Sequence, residues 1–85
     1  MKGLIFTEFL EMVELKFGYE VFDRVTSLPS LKNHGAYTSV GNYPHGEMLK
    51  MIDELHGAVD LPHKALILAF AEWLFGAFIK VHPEF

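Results

Sequence analysis

The sequence contains no cysteine among its 85 residues. This absence excludes a disulfide framework and a thiolate metal site, and it is consistent with a reducing compartment. Basic residues are scarce as well, since seven Lys and Arg are scattered singly against eleven Asp and Glu, which gives a net charge of −4. Because the chain has no basic stripe, we do not expect a nucleic-acid partner.

Neither an export signal nor a membrane span is predicted. The chain begins with Lys2 before an apolar patch, but glutamates interrupt that patch and no small-residue cleavage site follows it. The most apolar stretch lies between Lys64 and Lys80, which enclose only 15 residues, whereas a helical span needs about 20. We therefore expect a cytoplasmic protein with no membrane role.

Patterns of catalysis and metal binding are also missing. Ser27, Ser30 and Ser39 lie in no nucleophile motif, and no pair among the five histidines has the spacing of a zinc site. Glu72 is the one carboxylate in a very apolar setting. It would be functional only if it were buried, and we expect it instead at an edge, reaching Lys80 or solvent. The sequence thus predicts no metal ligand and no enzyme.

The residues that are present predict an all-α fold. Apolar residues make up 51% of the chain and aromatic residues 14%, which is too rich for disorder. Apolar periodicity predicts four helices, and Gly, Asn and Pro between the second and third predict a long central loop in which residues 36–40 are extended. The predicted helices cover residues 2–17, 20–28, 46–56 and 62–82, and they end at Gly18, Pro29, Gly57 and Pro83.

The last predicted helix is apolar on nearly every side, because 14 of the 18 residues from Ala65 to His82 are apolar. Such a helix is normally central in a fold, and its pattern allows a break near Ala71. Its wide face would be covered by the other helices and consists of Leu66, Ile67, Phe70, Trp73, Leu74, Phe78 and Val81. A second face, formed by Leu68, Phe75 and Ile79, has nothing left to cover it. Another chain, a missing part of this chain, or a large flat apolar ligand should contact that face.

Three stretches of the sequence together resemble one family. They are the opening "MKGLIFTEFLEMVELKFG", the middle "AYTSVGNYPHGE" and the end "AFAEWLFGAFIKVHPEF". They resemble the H-NOX, or haem NO-binding, domain of bacterial gas sensors, which is related to the haem domain of soluble guanylate cyclase. The resemblance implies that residues 1–85 are the truncated N-terminal helical subdomain of a larger α/β haem domain. The family's proximal histidine and its Tyr-x-Ser-x-Arg motif cannot be placed in this chain.

The same resemblance implies which residues contact the haem. Ile5 and Phe9 of the first helix, with Leu74 and Phe78 of the last, match the family's distal haem contacts, and we call these four residues the distal wall. Helical spacing agrees, because each pair lies one turn apart on one face, but the same pattern suits ordinary core residues. The complete domain would bind haem b, whereas this chain alone should not ligate the iron stably.

The partners follow from the same resemblance. They would be a diatomic gas bound through haem, namely NO with O₂ and CO as alternatives, and a signalling kinase or cyclase. A second hypothesis keeps the helical fold without haem: the chain would be a protein-protein interaction module that self-associates through its apolar last helix. Exposed apolar faces of this size are typical of interfaces, so the residues alone leave both hypotheses open.

Overall fold

Four α-helices make up the part of the chain that the structure describes. The computed structural model of the chain describes residues 1–29, 31 and 36–81, and for residues 78–81 it describes the backbone alone. Within these residues the only β-structure is an isolated antiparallel bridge between Lys2 and Asn42. The predicted all-α class is therefore confirmed. The helices are α1 (Gly3–Phe17), α2 (Tyr19–Thr26), α3 (His45–Val59) and α4 (His63–Val81).

The helix ends follow local backbone chemistry. α1 ends where predicted, at Gly18, whose φ of 94° lies in a region that glycine adopts readily. The predicted end of α3 at Gly57 is wrong, because the helix continues to Val59. It ends at Asp60, which takes a left-handed conformation with φ of 55° and donates its N–H to the His56 carbonyl. Aspartate is one of the few residues that tolerates this conformation.

α1 supplies five of the eleven described residues of the buried core, more than any other helix. Apolar periodicity places Phe6, Phe9, Met12 and Val13 on one face of this helix, and all four are at most 1% exposed, as that pattern predicts. Four partly buried residues pack against this core: Val21 and Phe22 of α2, Leu28 just after α2, and Ile52 of α3. The core residues from elsewhere in the chain are Val25, Leu31, Met48, Met51, Leu55 and Leu66.

α4 lies at the side of the fold and not at its centre, which corrects the prediction. It packs against α1 and α3 through one stripe, in which Leu66 is buried and Phe70 and Trp73 are partly buried. Ile67, which was predicted on the covered face, is 54% exposed. A helix at the edge of a four-helix arrangement buries only the side toward its two neighbours, however apolar its other sides are. The helix also runs without a break through Ala71.

The segment before α3 turns back on itself and is not extended throughout. Residues 39 and 40 form a turn closed by a hydrogen bond from the Gly41 N–H to the Thr38 carbonyl, at 3.2 Å. The prediction of an extended stretch over residues 36–40 is therefore wrong at its end. We call residues 36–43 the anchoring segment, because they lie against the start of α1.

Candidate functional site

The predicted distal wall draws on two helices that pack against each other, α1 and α4. Ile5 and Leu74 are partly buried, so each retains some accessible apolar surface. Phe9 is 1% exposed and meets Phe70 edge to face, with ring centroids 5.2 Å apart. The side chain of Phe78 lies outside the described residues, although α4 runs through that position. Of the four residues, Ile5 and Leu74 thus offer surface to a ligand, while Phe9 belongs to the core.

Two histidines meet at the junction of α3 and α4. The rings of His56 and His63 stack with centroids 4.2 Å apart. His56 Nδ1 contacts the Leu61 carbonyl, and His63 Nε2 lies 2.7 Å from an oxygen of Asp53. The sequence places both histidines at helix ends but does not reveal this contact, which depends on the short connection between the helices.

The third described histidine lies apart from this pair. His45 is the first residue of α3 and is exposed, whereas His34 and His82 lie outside the described residues. Across residues 1–29, 31 and 36–77, whose side chains are described, no three His, Asp or Glu side chains gather as metal ligands would. The stacked pair is instead held by a backbone carbonyl and a carboxylate, which are ordinary partners for surface histidines.

A buried carboxylate in the first turn of α3 was not anticipated from the sequence. Glu47 is 4% exposed, and its Oε1 accepts a hydrogen bond from the Tyr37 hydroxyl at 2.6 Å. Its Oε2 is buried and has no hydrogen-bond partner among the described residues. Burial, followed by the contact with Glu47, raises the pKa of Tyr37 well above its ordinary value. The tyrosine hydroxyl therefore remains a hydrogen-bond donor at any physiological pH.

An open groove of about 500 Å³ lies between α1 and α4. Trp73 is part of its lining and donates its indole N–H to Glu8 Oε1 at 2.9 Å. Glu72 is exposed and also lines the groove, as expected for a residue that reaches solvent. Ile5, Phe9 and Leu74 do not line it, so the groove is separate from these three residues of the predicted wall. The described residues that line it are Glu8, Glu11, Leu15, Lys16, Glu72, Trp73, Gly76 and Ala77.

Comparisons with known proteins agree with one another. The family model described as "Haem-NO-binding" matches residues 2–85. The chain is similar to the Fe(II) unliganded H-NOX protein from K. algicida, with 40% identity and a TM-score of 0.91. It is also similar to the A71G mutant of that protein, with 39% identity and a TM-score of 0.92. A comparison with curated proteins finds no match.

The alignments cover unequal shares of this chain and of the H-NOX chains that it matches. Each alignment includes 99% of this chain but 45% of the H-NOX chain, so this sequence spans less than half the length of the structures that it matches. In the part of the chain that the structure describes, no helix has the length and apolar character needed to cross a membrane.

Proposed function

This chain belongs to the haem-NO-binding (H-NOX) family, and we propose that it forms the distal side of the haem pocket in a haem-based gas sensor. The observation that carries the proposal is the family match, which extends over residues 2–85. H-NOX domains bind haem and act as sensors. The chain would accordingly be the N-terminal helical subdomain of a longer haem domain.

The residues of the predicted wall suit one face of a porphyrin. A porphyrin is flat and largely apolar, and it is bound mainly by burial against apolar side chains. Ile5 on α1 and Leu74 on α4 are aliphatic, partly buried and located on neighbouring helices. We propose that both contact the haem directly, that Phe78 does the same, and that Phe9 supports them from within the core. When bound, the haem iron would supply the site at which a gas ligand binds.

The iron ligand should come from outside these 85 residues. Haem iron needs an axial ligand, which is a histidine in the family that this chain resembles. His56 and His63 are engaged with each other, with a carbonyl and with Asp53, while His45 starts α3. We therefore propose that this chain contributes a wall to the pocket and not the ligation. The gas would be NO, with O₂ and CO as alternatives, and the signal would pass to a kinase or cyclase in the cytoplasm.

Haem titration tests the proposal. The complete protein should bind stoichiometric haem and give a five-coordinate histidine–iron signal in resonance Raman spectra, because both sides of the pocket are then present. The 85-residue chain should give no such signal. If this chain alone produced a stoichiometric histidine–iron signal that was lost on replacing one of its five histidines, the assignment of the ligand to another part would be wrong.

Substitutions in the complete protein test the wall itself. Ile5→Phe and Leu74→Ala should change NO or CO kinetics while haem is retained, because they alter the apolar surface that faces the ligand. Leu49→Ala is the matched control, since Leu49 is 59% exposed on α3 and belongs to neither the wall nor the apolar face of α4. Unchanged kinetics in both wall variants would show that these positions are ordinary packing residues.

We also propose that the 85-residue chain self-associates through α4. Leu68 and Phe75 are 55% and 68% exposed, so this part of the face predicted to lack cover is accessible in the structure. Exposed apolar faces on soluble chains commonly mark interfaces.

A further inference from the structure

The anchoring segment, residues 36–43, holds the first turn of α1 by backbone hydrogen bonds. The Gly3 N–H donates to the Gly41 carbonyl at 2.7 Å. The Tyr43 N–H donates to the Met1 carbonyl at 2.9 Å, and the Met1 amino group donates back to the Tyr43 carbonyl at 2.9 Å. These three hydrogen bonds fix the position of α1 along its own axis.

The two backbones also touch directly. A Cβ atom added to Gly3 would lie 1.7 Å from the carbonyl oxygen of Thr38, far inside van der Waals contact. Only a residue without a side chain permits this approach. The first turn of α1 therefore cannot shift toward the anchoring segment, and it cannot shift away without breaking the hydrogen bonds.

Aromatic packing fixes the rotation of α1 about its axis. Phe6 is fully buried and stacks on Tyr37, with ring centroids 4.5 Å apart and planes 21° from parallel. The ring of Tyr43 meets Phe6 edge to face at 5.4 Å and Tyr37 at 4.8 Å. Because Ile5 precedes Phe6 on the same helical turn, the position of the Phe6 ring determines the direction in which Ile5 points.

Glu47 holds Tyr37 in this cluster from the first turn of α3. Its side chain is 4% exposed and accepts a hydrogen bond from the Tyr37 hydroxyl at 2.6 Å, within the normal range for an O–H···O bond. The other oxygen of the carboxylate is buried without a hydrogen-bond partner in the described part of the chain. Burying a carboxylate is unfavourable, and an apolar side chain would fill this place at a lower cost. Stability alone therefore does not explain a glutamate here.

We propose that Tyr37 and Glu47 are positioning residues for the haem pocket: through Phe6 they set where Ile5 stands on the distal wall. The inference rests on the proposed function, because it assigns these two residues a role only if Ile5 faces haem. It goes beyond the wall residues themselves, since Tyr37 and Glu47 act through Phe6 and lie outside the predicted wall.

Conservative variants in the complete, haem-loaded protein test the inference. Tyr37→Phe removes only the hydroxyl and keeps the ring that stacks on Phe6. Glu47→Leu removes the acceptor, whereas Glu47→Gln keeps a carbonyl oxygen that can accept from Tyr37. Tyr19→Phe is the matched control, because Tyr19 is 66% exposed on α2.

The readouts are CO and NO dissociation rates, resonance Raman bands of the haem, and the melting temperature. Tyr37→Phe and Glu47→Leu should change a dissociation rate by about threefold or more. Glu47→Gln should restore most of the wild-type rate, and Tyr19→Phe should have no effect. In a double-mutant cycle, Ile5→Ala combined with Tyr37→Phe should give less than the product of the separate effects, because both act on one side chain.

The outcomes separate this inference from the function on which it rests. If the wild-type protein bound no haem, the proposed function would be wrong and the inference would fall with it. If haem were bound, and Ile5→Phe altered the kinetics while Tyr37→Phe and Glu47→Leu lowered only the melting temperature, the proposed function would stand. In that case the two residues would have a purely structural role and this inference would be overturned.

Discussion

Replacing Gly3 by alanine should strongly destabilise the fold, although alanine is normally the better helix residue. The added Cβ would lie 1.7 Å from the Thr38 carbonyl oxygen and 2.9 Å from the carbonyl carbon. The two segments would have to separate by roughly 1.5 Å or more to reach ordinary contact distances. That movement breaks or weakens the hydrogen bond of 2.7 Å between Gly3 and Gly41.

The expected loss follows from these contacts. Overpacking costs about 1–3 kcal/mol, and each lost hydrogen bond costs about 1 kcal/mol more. Alanine recovers less than about 1 kcal/mol of helix propensity at the start of a helix. With the middle value of each range the net loss is about 2.5 kcal/mol, which corresponds to a fall in melting temperature of roughly 10–20 °C for a domain of this size.

Other glycines of the same chain provide matched controls. A Cβ at Gly46 in α3 or at Gly76 in α4 would meet no atom of the described residues within 4 Å. Alanine at either position should therefore stabilise the chain by up to about 1 kcal/mol. Gly18 also has open space, but its φ of 94° should make alanine destabilising by about 1–2 kcal/mol through backbone strain alone.

Thermal and urea denaturation followed by far-ultraviolet circular dichroism would measure the series. We expect Gly76→Ala and Gly46→Ala to be more stable than wild type, Gly18→Ala to be less stable, and Gly3→Ala to be the least stable. A Gly3→Ala variant as stable as wild type would refute the contact between α1 and the anchoring segment, and with it the first step of the positioning argument.

Two further predictions concern pH and assembly. Because its pKa is raised above the ordinary value of 10.0, Tyr37 contributes stability that is fully present below that pH and is lost as pH rises toward the folded-state value. Urea denaturation at about pH 9 and about pH 11 should show this loss of stability, and Tyr37→Phe should reduce the loss. An equal loss in the wild-type and variant proteins would contradict the prediction. Sedimentation at micromolar concentration should show self-association of the 85-residue chain. The double variant Leu68→Glu with Phe75→Glu should abolish it, whereas the control Val40→Glu, at a position that is 91% exposed, should not. A clean wild-type monomer would refute the prediction.

The sequence predicted the helices and the inward side of α1 well, because period-3.6 patterning reports burial directly. Phe6, Phe9 and Met12 are all buried as expected. For α4 periodicity was partly right, since Leu66 is buried and Leu68 and Phe75 are exposed as predicted, but it gave no signal that the helix lies at the side of the fold. Its position beside α1 and α3 is a tertiary fact, and it leaves Ile67 exposed where the pattern placed it inside.

The contacts around the anchoring segment could not be predicted from the sequence, for a different reason. Glu47 follows a Gly in a polar stretch and reads as an exposed first-turn acid, which is favourable near a helix N-terminus. Its burial depends on Tyr37, ten residues away on a turn whose course the sequence does not specify. The signal that was available is the pairing of two tyrosines with a Gly-Asn dipeptide, which indicates a turn packed by aromatic rings but not its partner.

The exposed face of α4 that carries Leu68 and Phe75 is energetically important for this chain. Burying Leu68 and Phe75 would contribute about 1.5–3 kcal/mol for each side chain, and the total stability of a small domain is about 5–15 kcal/mol. A surface that could supply so large a fraction should gain a cover wherever one is present. A second copy of the chain and further protein from the same haem domain both qualify. They differ in their dependence on concentration, because stabilisation by a second copy rises with protein concentration, whereas a cover within one polypeptide acts equally at every dilution.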